Sequence, residues 1–470
     1  MRFTDAATLL SLTSLVHAAP SLHGHQHKHA ARQMYGWPSG GYPTESQPSG
    51  SKQGFQAGTF FVNWAIYARK FMVTDLPAEQ LTKINYAFAN LNNQTGEIIL
   101  SDEWADLQFP YPGDVGTNGS QLLGNFNQLY KLKQKNRNLK VVLSVGGWSY
   151  RNNFKPAFST EAGRTKFCDS TIQLIGDLGI DGIDFDYEYP EDTTAAHNFA
   201  KTVKYCRQIF DQYSAKYYNG YRFVIGISSP AGPQNYEIFP LAEIDQYVDN
   251  YNLMAFDYQG PGFSNFTGHL SNVYPSKKNP RSTNGWVVKT NSFTPFNTER
   301  AIEYYKTQIA DPSKIQLGMP LYGRGFANVI DPKPAGNGMG MVFNGSTAGS
   351  FEAGVIDYKQ LPRSNASLYT DWNVRAAWTY DRVAKEVITF DTPQVALWKT
   401  QYLKEQGLGG AWFWESSGDR PITDPKSLTR TVVNALGGVA SFRQNQNNLY
   451  YPNSKYYNIR SAVHNTTTSY

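Results

Sequence analysis

Cysteine is almost absent. Cys168 and Cys206 are the only two in 470 residues, which excludes a disulfide-rich scaffold and any cysteine-rich binding module. Both lie in amphipathic helical segments that follow different strands, and they are read as two buried thiols, with pairing left open. After the N-terminus no run of about twenty apolar residues occurs, so no helical membrane span is expected. Lys and Arg number 43 against 38 Asp and Glu, a net charge of +5. The basic residues are scattered without a run, which argues against nucleic acid as a partner. No internal repeat is visible. No His, Cys or Asp cluster has the spacing of a catalytic metal site, so neither a metal nor another cofactor is expected. Charged residues make up only 17% and aromatic residues 14%; most Phe is assigned to the core and a minority of the Trp and Tyr to a cleft.

The N-terminus carries Arg2, an apolar run from Ala6 to Val16, and Val16-His17-Ala18, with small residues at the spacing a signal peptidase accepts. Residues 1–18 therefore read as a secretory signal. Asn93, Asn118, Asn265, Asn344, Asn365 and Asn465 each begin an N-x-Ser/Thr sequon that an exported chain can have glycosylated. Residues 19–57 hold His23, His25, His27 and His29 and a Gly, Pro and Ser-rich stretch. A disordered or processed leader fits this segment better than a metal site, because nothing apolar flanks the histidines.

Apolar β-rich runs recur at 59–64, 84–90, 140–147, 182–188, 223–230, 252–258, 315–323 and 409–415, with helical patterns between several of them, such as 163–179 and 195–217. Strand then helix, repeated to eight strands, predicts a parallel closed (β/α)8 barrel over residues 58–437. Such barrels carry their active site at the strands' C-terminal ends, where Glu188, Asp257, Tyr258 and Glu415 fall. The fourth run is the most informative. Asp181-Gly182-Ile183-Asp184-Phe185-Asp186-Tyr187-Glu188 puts four acids into eight residues of a buried-strand pattern. Alternation sends Asp184, Asp186 and Glu188 to one face and Ile183, Phe185 and Tyr187 to the other. Carboxylates so close cannot all ionise cheaply, so one proton is retained at neutral pH, which is what a general acid needs. Asp181 is off that register and supports the strand's start.

This segment resembles the D-x-x-D-x-D-x-E signature of family 18 glycoside hydrolases, the fungal class V chitinases in particular. Phe61-Val62-Asn63-Trp64, Ile84-Asn85-Tyr86-Ala87-Phe88, Ser144-Val145-Gly146-Gly147-Trp148, Ser229-Pro230-Ala231-Gly232-Pro233, Met254-Ala255-Phe256-Asp257-Tyr258, Leu317-Gly318-Met319-Pro320-Leu321-Tyr322-Gly323-Arg324 and Gly409-Gly410-Ala411-Trp412-Phe413-Trp414-Glu415 resemble that family's segments in its order. The resemblance implies that Glu188 is the proton donor, that Asp186 turns toward it and holds the substrate's N-acetyl group, and that Asp184 shares a proton deeper in the barrel. The acetamido oxygen then attacks the anomeric carbon, so no second enzyme carboxylate is needed as nucleophile. The same resemblance places Asp257, Tyr258, Met254, Phe256, Tyr189 and Arg324 against the sugar, Trp414 as the floor beneath it, and Trp148 as a stacking platform on the leaving-group side. It gives Ser144 the role of a hydroxyl bonded to the inner aspartate, with Gly146 and Gly147 as supports. It also implies a small α+β insertion domain at about 325–390, between strands seven and eight, and a polar tail over 438–470.

Three positions depart from the family's pattern. Tyr187 replaces a usual Trp on the outer side of the strand. Phe60 and Phe256 replace usual tyrosines, and the loss at 256 removes a hydroxyl aimed at the attacking carbonyl. The expected function is a secreted chitinase, extracellular or held in the cell wall, acting as a monomer on chitin or chito-oligosaccharides. A chitin-binding lectin-like relative and an endoglycosidase of N-linked glycans are the alternatives.

Overall fold

The computed structural model describes residues 54–116, 119–275 and 296–462. The signal segment, the histidines from His23 to His29, Asn118 and Asn465 lie outside the described residues. Eight parallel strands close on themselves: β1 Gln56–Val62, β2 Lys83–Leu91, β3 Lys140–Gly146, β4 Gly182–Asp186, β5 Val224–Pro230, β6 Asn250–Met254, β7 Ile315–Pro320 and β8 Gly410–Trp414. Each pairs with its neighbours in chain order, and β8 returns to β1 through Gln56 opposite Gly410. Helices Gly124–Lys135, Glu161–Leu178, Thr193–Tyr217, Thr298–Gln308 and Pro393–Glu405 run between successive strands. This is the expected (β/α)8 barrel. Helix Glu161–Leu178 shows the local logic: Thr160 caps its first turn by accepting from the Gly163 amide, and Gly179 ends it in the left-handed region.

A second, five-stranded antiparallel sheet forms from Tyr322–Phe326, Val355–Asp357, Ser367–Asp371, Ala376–Asp381 and Glu386–Phe390. It matches the position of the predicted insertion, and its regular structure is almost all strand. The run predicted as one strand over 315–323 is divided: β7 ends at Pro320, Leu321 donates its amide to the Trp414 carbonyl, and Tyr322 opens the second sheet. A residue-by-residue apolar pattern does not register that change of partner.

The cysteines correct the reading of two free thiols. Cys168 and Cys206 form a disulfide with Cα atoms 4.8 Å apart, tying helix Glu161–Leu178 to helix Thr193–Tyr217. Both sulfurs are buried where these two helices pack together, a proximity that no single helix pattern reveals. At the opposite end of β4 from the acids, Asp181 is buried against the Lys133 ammonium at 2.9 Å and accepts from the Val141 amide and the Tyr221 hydroxyl. Residues after Gly438 close over this pair. Tyr451, fully buried, accepts from Lys133 and donates to the Ile180 carbonyl, and the Asn447 amide reaches three carbonyls, of Lys133, Asn136 and Leu139.

Candidate active site

The parallel ladder of β4 ends at Asp186, so the chain leaves the sheet just where the acids continue. Asp184 is fully buried inside the barrel. Its Oδ2 accepts from Ser144 on β3 at 2.9 Å and from Ser228 on β5 at 2.8 Å, and its Oδ1 accepts from the Asn252 amide on β6 at 2.8 Å. Asp186, one pleat higher, is also buried, and its Oδ1 has no hydrogen-bond partner among the described residues. Burial, then the charges of Glu188 and Asp184, push Asp186 well above the usual carboxyl range. Glu188 is half-buried at the edge of a cavity of about 140 Å³. Burial is also the first cause that raises Glu188 to about 7; the charge of Asp257 adds to it, and a hydrogen bond with Tyr189 and the charge of Arg151 oppose it.

The same cavity is lined by Tyr189, Met254, Phe256, Asp257 and Tyr258, which brings these predicted residues together with Glu188. Asp257 is held from three directions: Arg324 Nε and Nη2 grip its two oxygens at 2.9 and 2.8 Å, and the Tyr322 hydroxyl donates to it at 2.7 Å. Its backbone sits at φ 57°, a left-handed conformation that aspartate tolerates better than most residues. Tyr258 lines the cavity with its ring, but its hydroxyl pairs with Thr298 at 3.1 Å, so it does not replace the hydroxyl missing at 256. Phe256 rests edge-on against Trp412, with ring centroids 5.4 Å apart.

Trp414 is half-buried, with its ring stacked on Phe88 at 5.7 Å and tilted against Phe60 at 5.3 Å. Phe60 therefore serves as apolar packing beneath that indole. Trp148 stands apart from the cavity: it is 62% exposed, and the Arg151 guanidinium lies 3.8 Å from its ring centroid. Gly146 and Gly147 carry the chain from β3 to Trp148 with φ of 112° and 71°. A Cβ on Gly146 would fall 2.3 Å from the Asp186 carbonyl oxygen, so glycine lets the two strand ends approach. Tyr187 faces outward, stacked on Phe154 at 4.5 Å.

A buried carboxyl pushed well above its usual range, beside a second one raised to about 7 at the mouth of a parallel barrel, is the arrangement of a glycoside-cleaving acid site. The sequence model described as Glycosyl hydrolases family 18 matches residues 56–419. The chain belongs to glycosyl hydrolase family 18. It is a glycoside hydrolase. Among its family 18 relatives, it is 40% identical to Chitinase 1 of Aphanocladium album over 427 residues, 90% of this chain and 94% of that protein. Endochitinase 1 of Metarhizium robertsii is also 40% identical, over 87% of this chain and 91% of that protein. In three dimensions it is similar to the catalytic domain of psychrophilic chitinase B from Arthrobacter TAD20, with a TM-score of 0.73, 28% identity, and coverage of 84% of this chain and 98% of that one.

Several residues around the family 18 acids are not singled out by the motifs. Ser228 and Asn252 complete the ring of donors on Asp184, and Lys83 on β2 donates to the Asn252 carbonyl oxygen at 2.9 Å. Alternation marks all of them as inward-facing polar residues. It does not say that they share one level of the barrel. Gln234 lines the cavity, and its side-chain oxygen is buried with no partner among the described residues, free to accept from a bound amide or hydroxyl.

Proposed function

We propose that this chain is a secreted chitinase that hydrolyses β-1,4-linked N-acetylglucosamine polymers with retention, the substrate's own acetamido group acting as nucleophile. The observation that carries the proposal is Glu188, raised to about 7 and lining the cavity, above Asp186 whose buried Oδ1 lacks a partner. Glu188 protonates the glycosidic oxygen. Asp186, neutral and with hydrogen-bonding capacity to spare, holds the acetamido nitrogen while its carbonyl oxygen closes on the anomeric carbon, and Asp184 steadies the charge that passes between them. Asp257, fixed by Arg324 and Tyr322, lines the same cavity and orients the sugar. Trp414 offers an apolar platform to the ring's C–H face.

The names of the relatives, chitinases and endochitinases, support chitin as the substrate. Secretion is supported by the N-terminal apolar run, by the disulfide, which persists in oxidising compartments, and by the exposure of the four described sequon asparagines, Asn93, Asn265, Asn344 and Asn365. The lectin-like reading rests on Phe60 and Phe256 alone and is not favoured, because a binding protein has no need of a buried acid pair. Purified protein should release soluble oligosaccharide from chitin, with the first product in the β-anomeric form by NMR. Glu188→Gln should lose at least a thousandfold in kcat while still binding chitin. Equal binding with no release from either protein would return the lectin-like reading.

A further inference from the structure

Inside the barrel, below the acids, lies a lysine that the relay of carboxyls does not account for. Lys83 is 3% exposed, and its ammonium donates to Asn252 Oδ1 at 2.9 Å. An ammonium has only donors, so Asn252 must turn its carbonyl oxygen to Lys83 and its NH₂ to Asp184. That NH₂ lies 2.8 Å from Asp184 Oδ1, which must therefore accept. Ser144 and Ser228 occupy Oδ2, and each has a hydroxyl proton to give. All of these contacts are satisfied at once when Asp184 is a bare carboxylate. A proton on Oδ2 would force one of the two serines to reverse.

We propose that Lys83 is a positioning residue for the hydrolysis: through Asn252 and through its charge it holds Asp184 ionised, so that the retained proton stays on Asp186, next to the substrate. The inference rests on the proposed roles of Asp184, Asp186 and Glu188. Burial raises Asp184 above its ordinary value, and Lys83 is the largest influence opposing that pull, ahead of the two serines and Asn252, so the loss of Lys83 would raise Asp184 further. Lys83 is itself pushed down to about 8 by burial, the charges of Asp184 and Asp249 opposing, and so is charged at neutral pH. Asp249 is already gripped by Arg207 at 2.6 Å and Arg222 at 2.7 Å. Lys140, the ladder neighbour of Lys83 on β3, sends its ammonium to the Tyr221 hydroxyl at 2.7 Å. Gly58, the other ladder neighbour of Lys83, is uncharged, and the atoms closest to it besides Lys83 Cε belong to the uncharged Trp412 and Gln316; Asn250, also uncharged, shares Asn252 Oδ1 at 3.2 Å. Asp184 is thus the partner left for the Lys83 charge.

The test is the pH profile of kcat on a soluble chito-oligosaccharide. Lys83→Met keeps the length of the side chain without its charge. Its acidic limb should move up by about one pH unit while KM changes less than about twofold, because Lys83 does not line the substrate cavity. Lys83→Arg should restore the native limb. A Lys83→Met protein with native melting temperature and an unmoved acidic limb would overturn the proposal. Should the variants fail to fold, neutron diffraction on the native protein at about pH 6 decides: three deuterons on Lys83 Nζ and none on Asp184 support it, and a deuteron on Asp184 overturns it. Neutron diffraction needs no turnover, and Glu188→Gln tests the acid itself, so failure of the Lys83 proposal is separable from failure of the proposed chemistry.

Discussion

At the residue scale, the missing hydroxyl of Phe256 is the sharpest departure from what the chemistry asks. The hydroxyls nearest it in the chain's own cavity are committed, Tyr258 to Thr298 and Tyr189 to Glu188, and Tyr322 is spent on Asp257. Phe256→Tyr should therefore raise kcat, by about tenfold or more if the new hydroxyl reaches the attacking carbonyl; steady-state kinetics with unchanged or lower kcat would mean the donor is supplied otherwise. In its proposed role as the proton donor, Glu188 sets the alkaline side of activity. It must be protonated to act, and with its ionisation raised to about 7 the competent form prevails below that pH. Above it kcat/KM should fall about tenfold for each pH unit. A decline that begins near pH 5 instead would show that Glu188 titrates as an ordinary carboxyl. The acids were the most legible residues in the sequence, because charge set into an apolar alternation is costly unless it is used. Lys83 and Asn252 were not, since they stand on separate strands and nothing in a linear pattern tells that one amide joins them to Asp184.

At the element scale, the eight strands read well because each is an apolar run bounded by polar or glycine residues. Their ends did not. The run through Glu188 looks like continuous strand, yet the ladder stops at Asp186, because side-chain alternation persists for a few residues beyond the last backbone hydrogen bond. The run through Gly323 was likewise one pattern serving two sheets. Pairing of helix Glu161–Leu178 with helix Thr193–Tyr217 through Cys168 and Cys206 was invisible for the same reason, being a property of packing between elements. The bridge spans 38 positions, and closing a loop of that size in the unfolded chain stabilises by roughly 3 to 4 kcal/mol. Replacing both cysteines by alanine should lower the melting temperature measurably while leaving kcat intact, as neither cysteine lines the cavity. A double variant with native melting behaviour would mean that the helices hold each other without the link.

At the scale of the whole molecule, the acids and the floor of the barrel are separate devices on one strand. Asp181 faces Lys133 at one end of β4, and Asp186 closes the other, two residues before the cavity-lining Glu188. Composition anticipated a Phe-rich core and a cleft carrying some of the Trp and Tyr, and strand–helix alternation anticipated the barrel. The part played by the residues after Gly438 escaped it, because a polar Asn and Tyr-rich segment reads as solvated until its partners are known. Those partners have a practical consequence. The family match ends at 419, yet a shorter protein cut after Gly438 would uncap a buried ammonium and its carboxylate and strip the Lys133, Asn136 and Leu139 carbonyls of their donor. Such a fragment should come out of its host as insoluble aggregate even though every residue of the catalytic cavity is still encoded, and a soluble, active fragment would show that water can stand in for the missing plug.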